Sequence, residues 1–283
     1  MAQILKGKEV VDALNADLLQ RSEALKAKGV TPVLAIVRLG ERPDDMAYER
    51  GALKRAEKTG VTVKQFVFPE DMTQDQLLAE IEKINQDDSI HGVLMFRPLP
   101  RHIDDETVRN ALAPEKDVDG ITDISQAGVY AGVDKGFPPC TAEACMEILK
   151  HYDVNLRGAN VAVVGRSQVI GKPVAMMLIK ANATVTVCHT KTVDMASICR
   201  DKDVIIAAAG HRGTVTKDFL NPGQTIIDVA INFDENGKMC GDVDFAEAEK
   251  TVKAITPVPG GVGSVTTSML MKHVITAAEK KAL

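Results

Sequence analysis

The sequence predicts an α/β fold of two domains. Short apolar runs alternate with amphipathic helical segments, which is typical of βαβ units and a largely parallel sheet. In the second half, a glycine-containing turn follows a buried strand and opens a helix, as in dinucleotide-binding folds. With 283 residues, the chain is long enough for two domains of ordinary size. We therefore predict an N-terminal α/β substrate domain and a C-terminal Rossmann-like dinucleotide-binding domain, with a cleft between them.

Three helices and three strands are predicted in the first half. The helices show apolar residues at helical spacing, and the third begins at Thr73, a residue suited to cap a helix N-terminus. The strands are short apolar or alternating runs, and the last one runs into a proline-rich loop. The predicted helices cover residues 8–28, 46–61 and 73–85, and the strands cover 33–40, 61–68 and 90–100.

The second half continues the alternation. Residues 159–192 read as strand, glycine turn, helix and strand, and 203–210 and 224–232 are two more buried strands. A last helix over 266–280 is long enough to pack back onto the first domain. The predicted domains are residues 1–139, completed by the C-terminal helix of 266–283, and residues 140–265.

Composition narrows the class of protein. The net charge is −5 with both signs interspersed, so a nucleic-acid surface is not indicated. The five cysteines have no metal-ligand spacing, and we expect reduced structural thiols and no metal. No apolar run approaches the ~20 residues that cross a bilayer, and no signal peptide is recognised. A cytoplasmic protein without membrane partners is expected.

The turn between Gly165 and Gly171 predicts a dinucleotide site. It follows the strand pattern NVAVV and opens a helix, which directs backbone N–H groups at a diphosphate. A tight turn that binds nothing is the alternative. NAD sites carry a carboxylate about 20 residues further on, but the sequence there is CHTKT, without an acid. Together with Arg166 this favours NADP, whereas His189 alone could equally be a packed or solvated side chain.

Three loops, RPLPRHID, PEKDVDGI and ITPVPGGVGSVTT, are expected to meet at the substrate site. Their prolines and glycines fix the backbone where a planar ligand must approach closely. Asp117 and Asp119 alternate in the second loop. Solvated turn acids are the simpler interpretation of this pair, and a substrate-binding carboxylate is the other.

The motifs PEKDVDG, PPCTAEA, VVGRSQVIGKP, CHTKT, GDVDF and ITPVPGGVGSVTT, in this order, resemble the tetrahydrofolate dehydrogenase/cyclohydrolase family nearly end to end. The resemblance implies a homodimer that oxidises 5,10-methylenetetrahydrofolate with NADP, and it usually implies hydrolysis of the methenyl product. Tyr48 and Asp119 match the catalytic and substrate-binding positions at the pterin. The remaining implied substrate contacts are Pro259, Gly260, Gly261 and Val262, and the implied cofactor contacts are Thr141, Gly165, Arg166, Ser167, Ile170, Gly171, Thr190, Ile231 and Gly263.

The chain departs from the family pattern at positions that matter. With Tyr48 in the tyrosine position, the catalytic lysine of the family falls on Ala52, and its usual glutamine becomes Phe96. Lys54 lies about 120° round the helix from Tyr48. Arg55 is on the same side of the helix, but an arginine does not release a proton near neutral pH. Two prolines of the pattern are also replaced, by Ala142 and Ser264.

These departures affect the two activities differently. Hydride transfer mainly requires that donor and nicotinamide be positioned, whereas hydrolysis requires a group that exchanges protons. We therefore expect an NADP-dependent dehydrogenase with weak or absent cyclohydrolase activity. The alternatives are a fully bifunctional enzyme, a non-catalytic dinucleotide or folate binder, and a shikimate-dehydrogenase-like enzyme, for which no convincing Lys–Asp pair is found.

Overall fold

The computed structural model describes residues 1–282, so residue 283 of the predicted C-terminal segment lies outside the described residues. Two compact units are formed, which we call the three-stranded unit (residues 13–140 and 267–282) and the six-stranded unit (residues 1–12 and 141–266). None of the described helices is long and apolar enough to span a bilayer.

Ten α-helices and eleven β-strands are found in the described part of the chain. The helices are α1 (Gly7–Ala27), α2 (Pro43–Thr59), α3 (Gln74–Gln86), α4 (Asp105–Asn110), α5 (Asp123–Ala131), α6 (Cys140–His151), α7 (Gly171–Lys180), α8 (Met195–Arg200), α9 (Phe245–Thr251) and α10 (Val262–Lys281). The strands are β1 (Gln3–Ile4), β2 (Val33–Leu39), β3 (Thr62–Phe68), β4 (Gly92–Met95), β5 (Asn160–Val164), β6 (Thr184–Cys188), β7 (Val204–Ala207), β8 (Thr225–Asp228), β9 (Asn232–Phe233), β10 (Met239–Cys240) and β11 (Ala254–Ile255).

The three-stranded unit is built on a parallel sheet in the order β3-β2-β4. Its central strand β2 is buried along its whole length, as expected where helices cover both sides of a parallel sheet. Because side chains alternate along a strand, Val33, Ala35, Val37 and Leu39 point to one side, and they share a core cluster with residues of α3.

Helix α2, which carries Tyr48, is fixed to this sheet by a buried ion pair. Glu49 accepts a hydrogen bond of 2.8 Å from Arg38 of β2 and another from Gln65 of β3. The helix begins at Pro43, three residues before the predicted start, since proline is well suited to the first helical position. It ends at Thr59 and is capped by Gly60, which adopts a left-handed conformation with φ of 72°. Tyr48 is thereby held in one orientation relative to β2 and β3.

The six-stranded unit contains a parallel sheet in the order β1-β11-β8-β7-β5-β6. From β5 the chain first forms β6 on one side of β5, and it then crosses over to form β7 on the other side of β5. Strand order therefore reverses between β5 and β7, which is the point where doubly wound sheets bind ligands beyond the carboxyl ends of their strands. Here those ends are followed by Gly165 and by Ala208.

The first residues of the chain differ from the prediction. Residues 1–139 were expected in one domain, but β1 pairs with β11, with Gln3 opposite Ala254 and Ile4 opposite Ile255. Residues 1–12 consequently belong to the six-stranded unit. A strand of two residues leaves no periodic pattern in the sequence, so only the long-range pairing identifies it. The last helix also begins earlier than predicted, at Val262.

Candidate functional site

The turn from β5 to α7 is closed too tightly for any residue but glycine at two positions. Gly165 has φ of 129°, and a Cβ there would lie 2.1 Å from the Ala208 carbonyl oxygen. A Cβ on Gly171 would lie 2.3 Å from the Gly165 carbonyl oxygen. Contacts this short are excluded sterically, so both predicted glycines are required by the backbone. The turn keeps the close strand-to-helix geometry that a diphosphate site needs.

Ser167 organises the start of α7 from inside this turn. Its Oγ accepts hydrogen bonds from the backbone N–H groups of Ile170, at 3.1 Å, and Gly171, at 3.4 Å. Ser167 and Arg166 are both exposed. A hydroxyl and a guanidinium therefore stand at a helix N-terminus, where the helix dipole favours an anion.

The turn after β6 lies next to the first one. Gly165 N donates to the Cys188 carbonyl oxygen at 2.9 Å, which joins the two turns. Beyond Cys188, the His189 Nδ1 accepts from Lys191 N at 3.1 Å, and Thr190 is exposed. No carboxylate occurs among residues 188–192. These residues therefore lack the acid that hydrogen-bonds the ribose 2′-hydroxyl in NAD sites, and they lack a negative charge that would repel the 2′-phosphate of NADP. The residues at these two turns fit NADP.

Asp242 was not singled out from the sequence, yet it holds the loop on the other side of the switch point. Its carboxylate accepts from the backbone N–H groups of Ala209 (2.6 Å), Gly210 (3.0 Å) and His211 (2.8 Å). It also accepts from Asn232 Nδ2 at 3.0 Å. The side chain is fully buried. Asp242 therefore fixes the loops that follow β7 and β8, and its place in the quoted motif GDVDF was the available signal.

Six predicted site residues line one pocket of about 300 Å³ in the six-stranded unit. Asp228, at the end of β8, also lines it. Burial raises the pKa of Asp228 to about 7, against the hydrogen bonds donated by the backbone N–H groups of Asp242 and Val243. The structure thus brings together these predicted residues: Ile231, Pro259, Gly260, Gly261, Val262 and Gly263.

Tyr48 and Asp119 both belong to the three-stranded unit and interact electrostatically. Burial, followed by the negative charge of Asp119, raises the pKa of Tyr48 well above its usual value, so the phenol stays protonated at neutral pH. The Phe96 ring meets the Tyr48 ring edge to face, with centroids 5.9 Å apart. Burial also raises the pKa of Asp119 to about 6. The two predicted substrate-binding residues of this unit are therefore a carboxyl group and a neutral phenol, and the phenol is packed against an aromatic ring.

The acids of the PEKDVDGI loop have separate roles. Asp117 is fully buried, and its carboxylate accepts from Ile121 N (2.9 Å), Thr122 N (2.8 Å) and Ser125 Oγ (2.6 Å). The interpretation of Asp117 as a solvated turn acid is therefore wrong. Asp117 holds the loop in shape, which leaves the half-buried Asp119 as the carboxylate whose charge acts on Tyr48.

Within the described helix α2, no lysine takes the place of Ala52. Ala52 is 0% exposed, one turn from Tyr48 along α2. Lys54 is exposed, and Arg55 Nε donates to Thr267 Oγ1 at 3.4 Å. Within the described residues, no group of three or more His, Cys, Asp or Glu side chains could hold a metal ion. The last implied cofactor contact, Thr141, is half-buried in the first turn of α6.

Two parts of the chain match the two domains of one protein family. Residues 5–119 match the tetrahydrofolate dehydrogenase/cyclohydrolase catalytic domain. Residues 139–282 match the NAD(P)-binding domain of the same family. The resemblance inferred from the motifs is thereby confirmed, as is the predicted α/β fold class.

Known proteins are similar over nearly the whole chain. The bifunctional protein FolD of Alkaliphilus oremlandii is 49% identical over 98% of this chain and 97% of its own. The crystal structure of the bifunctional FolD methylenetetrahydrofolate dehydrogenase/cyclohydrolase of Campylobacter jejuni is 38% identical, with a TM-score of 0.96 over 99% of each chain. The Trypanosoma brucei enzyme, complexed with NADP cofactor and inhibitor, is 34% identical, with a TM-score of 0.91 over 99% and 98% of the two chains. The two structures are named for both activities, and the Alkaliphilus protein is named bifunctional, so these names favour the bifunctional alternative over the narrower prediction.

Proposed function

Because this chain belongs to the tetrahydrofolate dehydrogenase/cyclohydrolase family, we propose that it oxidises 5,10-methylenetetrahydrofolate to 5,10-methenyltetrahydrofolate with NADP. The observation that carries the proposal is the half-buried carboxylate of Asp119, whose charge acts on the neutral phenol of Tyr48, in a chain that also contains the acid-free dinucleotide turns. Family membership supports the substrate class, and these side chains supply groups that suit a pterin.

The cofactor would be held by residues of the six-stranded unit. Arg166, Ser167 and Thr190 would bind the 2′-phosphate, and the turn between Gly165 and Gly171 would hold the diphosphate at the N-terminus of α7. When bound, the nicotinamide supplies a hydride acceptor. Asp242 contributes by fixing the main chain of residues 209–211 with three hydrogen bonds.

The folate would be held by the three-stranded unit. Asp119 accepts hydrogen bonds from the N–H groups at the pterin edge when it is ionised, which is its main form above a pKa of about 6. The phenol of Tyr48 remains protonated and packs near the ring system. Removing hydride from the methylene carbon leaves a cation that two nitrogens already stabilise, so orientation is the main requirement.

We propose further that the cyclohydrolase activity is weak or absent. Hydrolysis requires a group that accepts and returns protons as water adds and the ring opens. At the position of the family's lysine stands the buried methyl group of Ala52, and Phe96 packs on Tyr48 where the pattern has glutamine. Both replacements take polar groups away from the site.

A bifunctional enzyme is the second candidate, and two observations favour it. The relatives described above are named bifunctional or named for both activities. In addition, Asp119 has a pKa raised to about 6 by burial, so this carboxyl exchanges protons close to neutral pH. It could perform the proton transfers that the lysine performs in the family pattern.

A paired assay on one preparation tests both candidates. Dehydrogenase turnover is followed by the appearance of reduced nicotinamide with methylenetetrahydrofolate, and hydrolysis by the loss of methenyltetrahydrofolate. We expect NADP-dependent turnover and hydrolysis close to the spontaneous rate. Hydrolysis well above that rate supports the bifunctional candidate, and absence of turnover with either nicotinamide cofactor refutes the dehydrogenase. The homodimer stays a prediction, which light scattering on the purified protein would test.

A further inference from the structure

Arg97, the first residue of the RPLPRHID loop, forms an ion pair with both oxygens of one carboxylate. Its Nε donates to Asp105 Oδ1 at 2.6 Å, and its Nη2 donates to Asp105 Oδ2. Such a bidentate pair adds a fixed orientation to the energy of a charged hydrogen bond. Because Arg97 directly follows Phe96, which packs on Tyr48, the pair fixes the main chain next to this aromatic contact.

Helix α4 connects this ion pair to a second arginine. Asp105 and Arg109 lie four positions apart, so they share one side of the helix, and the Arg109 Nε lies 3.9 Å from Asp105 Oδ2. The Arg109 Nη1 donates to the carbonyl oxygen of Ile121 at 3.0 Å and also to the Asp123 carboxylate. Arg109 is 9% exposed, and its bond to Ile121 is buried. Arg109 therefore ties α4 to the end of the PEKDVDGI loop.

Ile121, two positions after Asp119, is held through both of its main-chain polar groups. Its N–H donates to the Asp117 carboxylate at 2.9 Å, and its carbonyl oxygen accepts the hydrogen bond from Arg109. These two bonds leave the main chain beyond Asp119 little freedom. Because Gly120 alone separates Ile121 from Asp119, a displacement of Arg109 would move the carboxyl group of Asp119 as well.

We propose that Arg97, Asp105 and Arg109 are positioning residues, which couple the RPLPRHID loop to the PEKDVDGI loop through α4. The inference rests on the proposed function, in which both loops contact the folate. The coupling holds the two loops at one spacing before the folate binds. Less of the binding free energy is then used to order the loops, which is the effect of preorganisation on affinity.

Arg97→Met tests the first link, since methionine keeps an unbranched apolar side chain but removes the guanidinium. The side chains of Arg97 and Asp105 are 29% and 38% exposed, so we expect the KM for methylenetetrahydrofolate to rise about fivefold. The KM for NADP should not change, because the six-stranded unit would hold NADP. Arg101→Met is the matched control: Arg101 is exposed in the same loop and forms no ion pair within the described residues. Equal folate KM values in the two variants would overturn the proposal.

A double-mutant cycle tests whether the two arginines act together, since both contact Asp105. The effects of independent residues on KM multiply, so we expect the double variant Arg97→Met/Arg109→Met to fall short of the product by about threefold or more. Asp105→Asn covers the case in which Arg109→Met does not fold. In the Asp105→Asn protein, Arg97→Met should change the folate KM little further. An effect equal to that in the wild type would contradict the coupling, as would a double variant that reaches the full product.

Hydrogen exchange measures the coupling without substrate or turnover. The backbone N–H groups of Ile121 and Thr122 donate to Asp117. Loss of the distant Arg97 guanidinium should make both exchange about fivefold faster, because the local opening equilibrium shifts by the contribution of the lost ion pair. Unchanged exchange at these two groups overturns the inference, even if the folate KM rises. Absence of dehydrogenase turnover in the wild type refutes the proposed function instead, and hydrogen exchange then decides the coupling independently.

Discussion

Restoring the two missing polar residues should restore hydrolysis. Position 52 is one helical turn, or about 6 Å of rise, beyond Tyr48 and about 40° round the helix from it. A lysine there would reach towards the Tyr48 ring, which Phe96 now contacts at a centroid distance of 5.9 Å. The perturbation is therefore the double variant Ala52→Lys/Phe96→Gln, in which glutamine vacates part of the space that the lysine needs.

The expected gain follows from the chemistry of proton transfer. A positioned general acid or base contributes typically about 10²- to 10⁴-fold to a rate, so we expect methenyltetrahydrofolate hydrolysis to rise by at least about 100-fold. Because Ala52 is fully buried, the larger side chain should lower the free energy of unfolding by about 1–3 kcal/mol. Dehydrogenase activity should fall much less, since it depends on orientation.

The assay follows loss of the methenyl chromophore against a protein-free blank, at several enzyme concentrations. Ala52→Met/Phe96→Gln is the matched control, because methionine has similar length without the amine. A folded Ala52→Lys/Phe96→Gln protein that hydrolyses no faster than this control would refute the reasoning. Wild-type protein that already hydrolyses far above the blank would refute it as well, and would leave proton transfer to another group.

Three further outcomes are expected. Asp119→Asn should lower dehydrogenase kcat/KM by about tenfold or more, because hydrogen bonds to a charged group contribute about 1.5–3 kcal/mol; unchanged folate kinetics would remove Asp119 from the site. Asp242→Asn should raise the KM for NADP and leave the KM for folate unchanged, whereas a lower Tm with unaltered NADP binding would argue against its role in the cofactor loop. The third outcome concerns Asp228, whose pKa is about 7 in the folded chain, compared with an ordinary value of 3.8 for an aspartate. The folded state thus binds this proton more tightly, and the free energy of unfolding should fall as pH rises from about 4 to about 7, by at most about 4 kcal/mol. Urea unfolding should find this decline reduced in Asp228→Asn but kept in the exposed control Asp71→Asn, and equal declines in both variants would exclude Asp228 as the source.

Local signals explain why much of the fold could be predicted. Apolar runs and helical periodicity are properties of neighbouring residues, so β2, β3, α3 and the β5–α7–β6 unit were all found. The glycine turn was found for the same reason, since Gly165 and Gly171 sit in one short motif. The two-residue strands β1, β9, β10 and β11 were missed because they exist only through pairing.

Site residues were predicted where a motif carried them and missed where distance in the chain separated them. Asp117 and Asp119 differ by two positions, and no pattern in the sequence distinguishes the acid that holds the loop from the acid whose charge acts on Tyr48. His273 of α10 contacts the carbonyl oxygen of Val118, the residue before Asp119, from 155 residues further along the chain. Such contacts depend on how distant segments pack together, and the pattern of residues along the sequence does not predict that packing.

By itself, the sequence determined the alternation of strands and helices, the glycines of the dinucleotide turn and the loss of the lysine at position 52. These are statements about residue identity and local spacing. Only the tertiary structure decided the ionisation of Asp119, the neutrality of Tyr48 and the clamp of Asp242 on residues 209–211. The physical reason is that burial and hydrogen bonding depend on which distant segments pack together, and these forces, rather than residue type, set the charge of a carboxyl group.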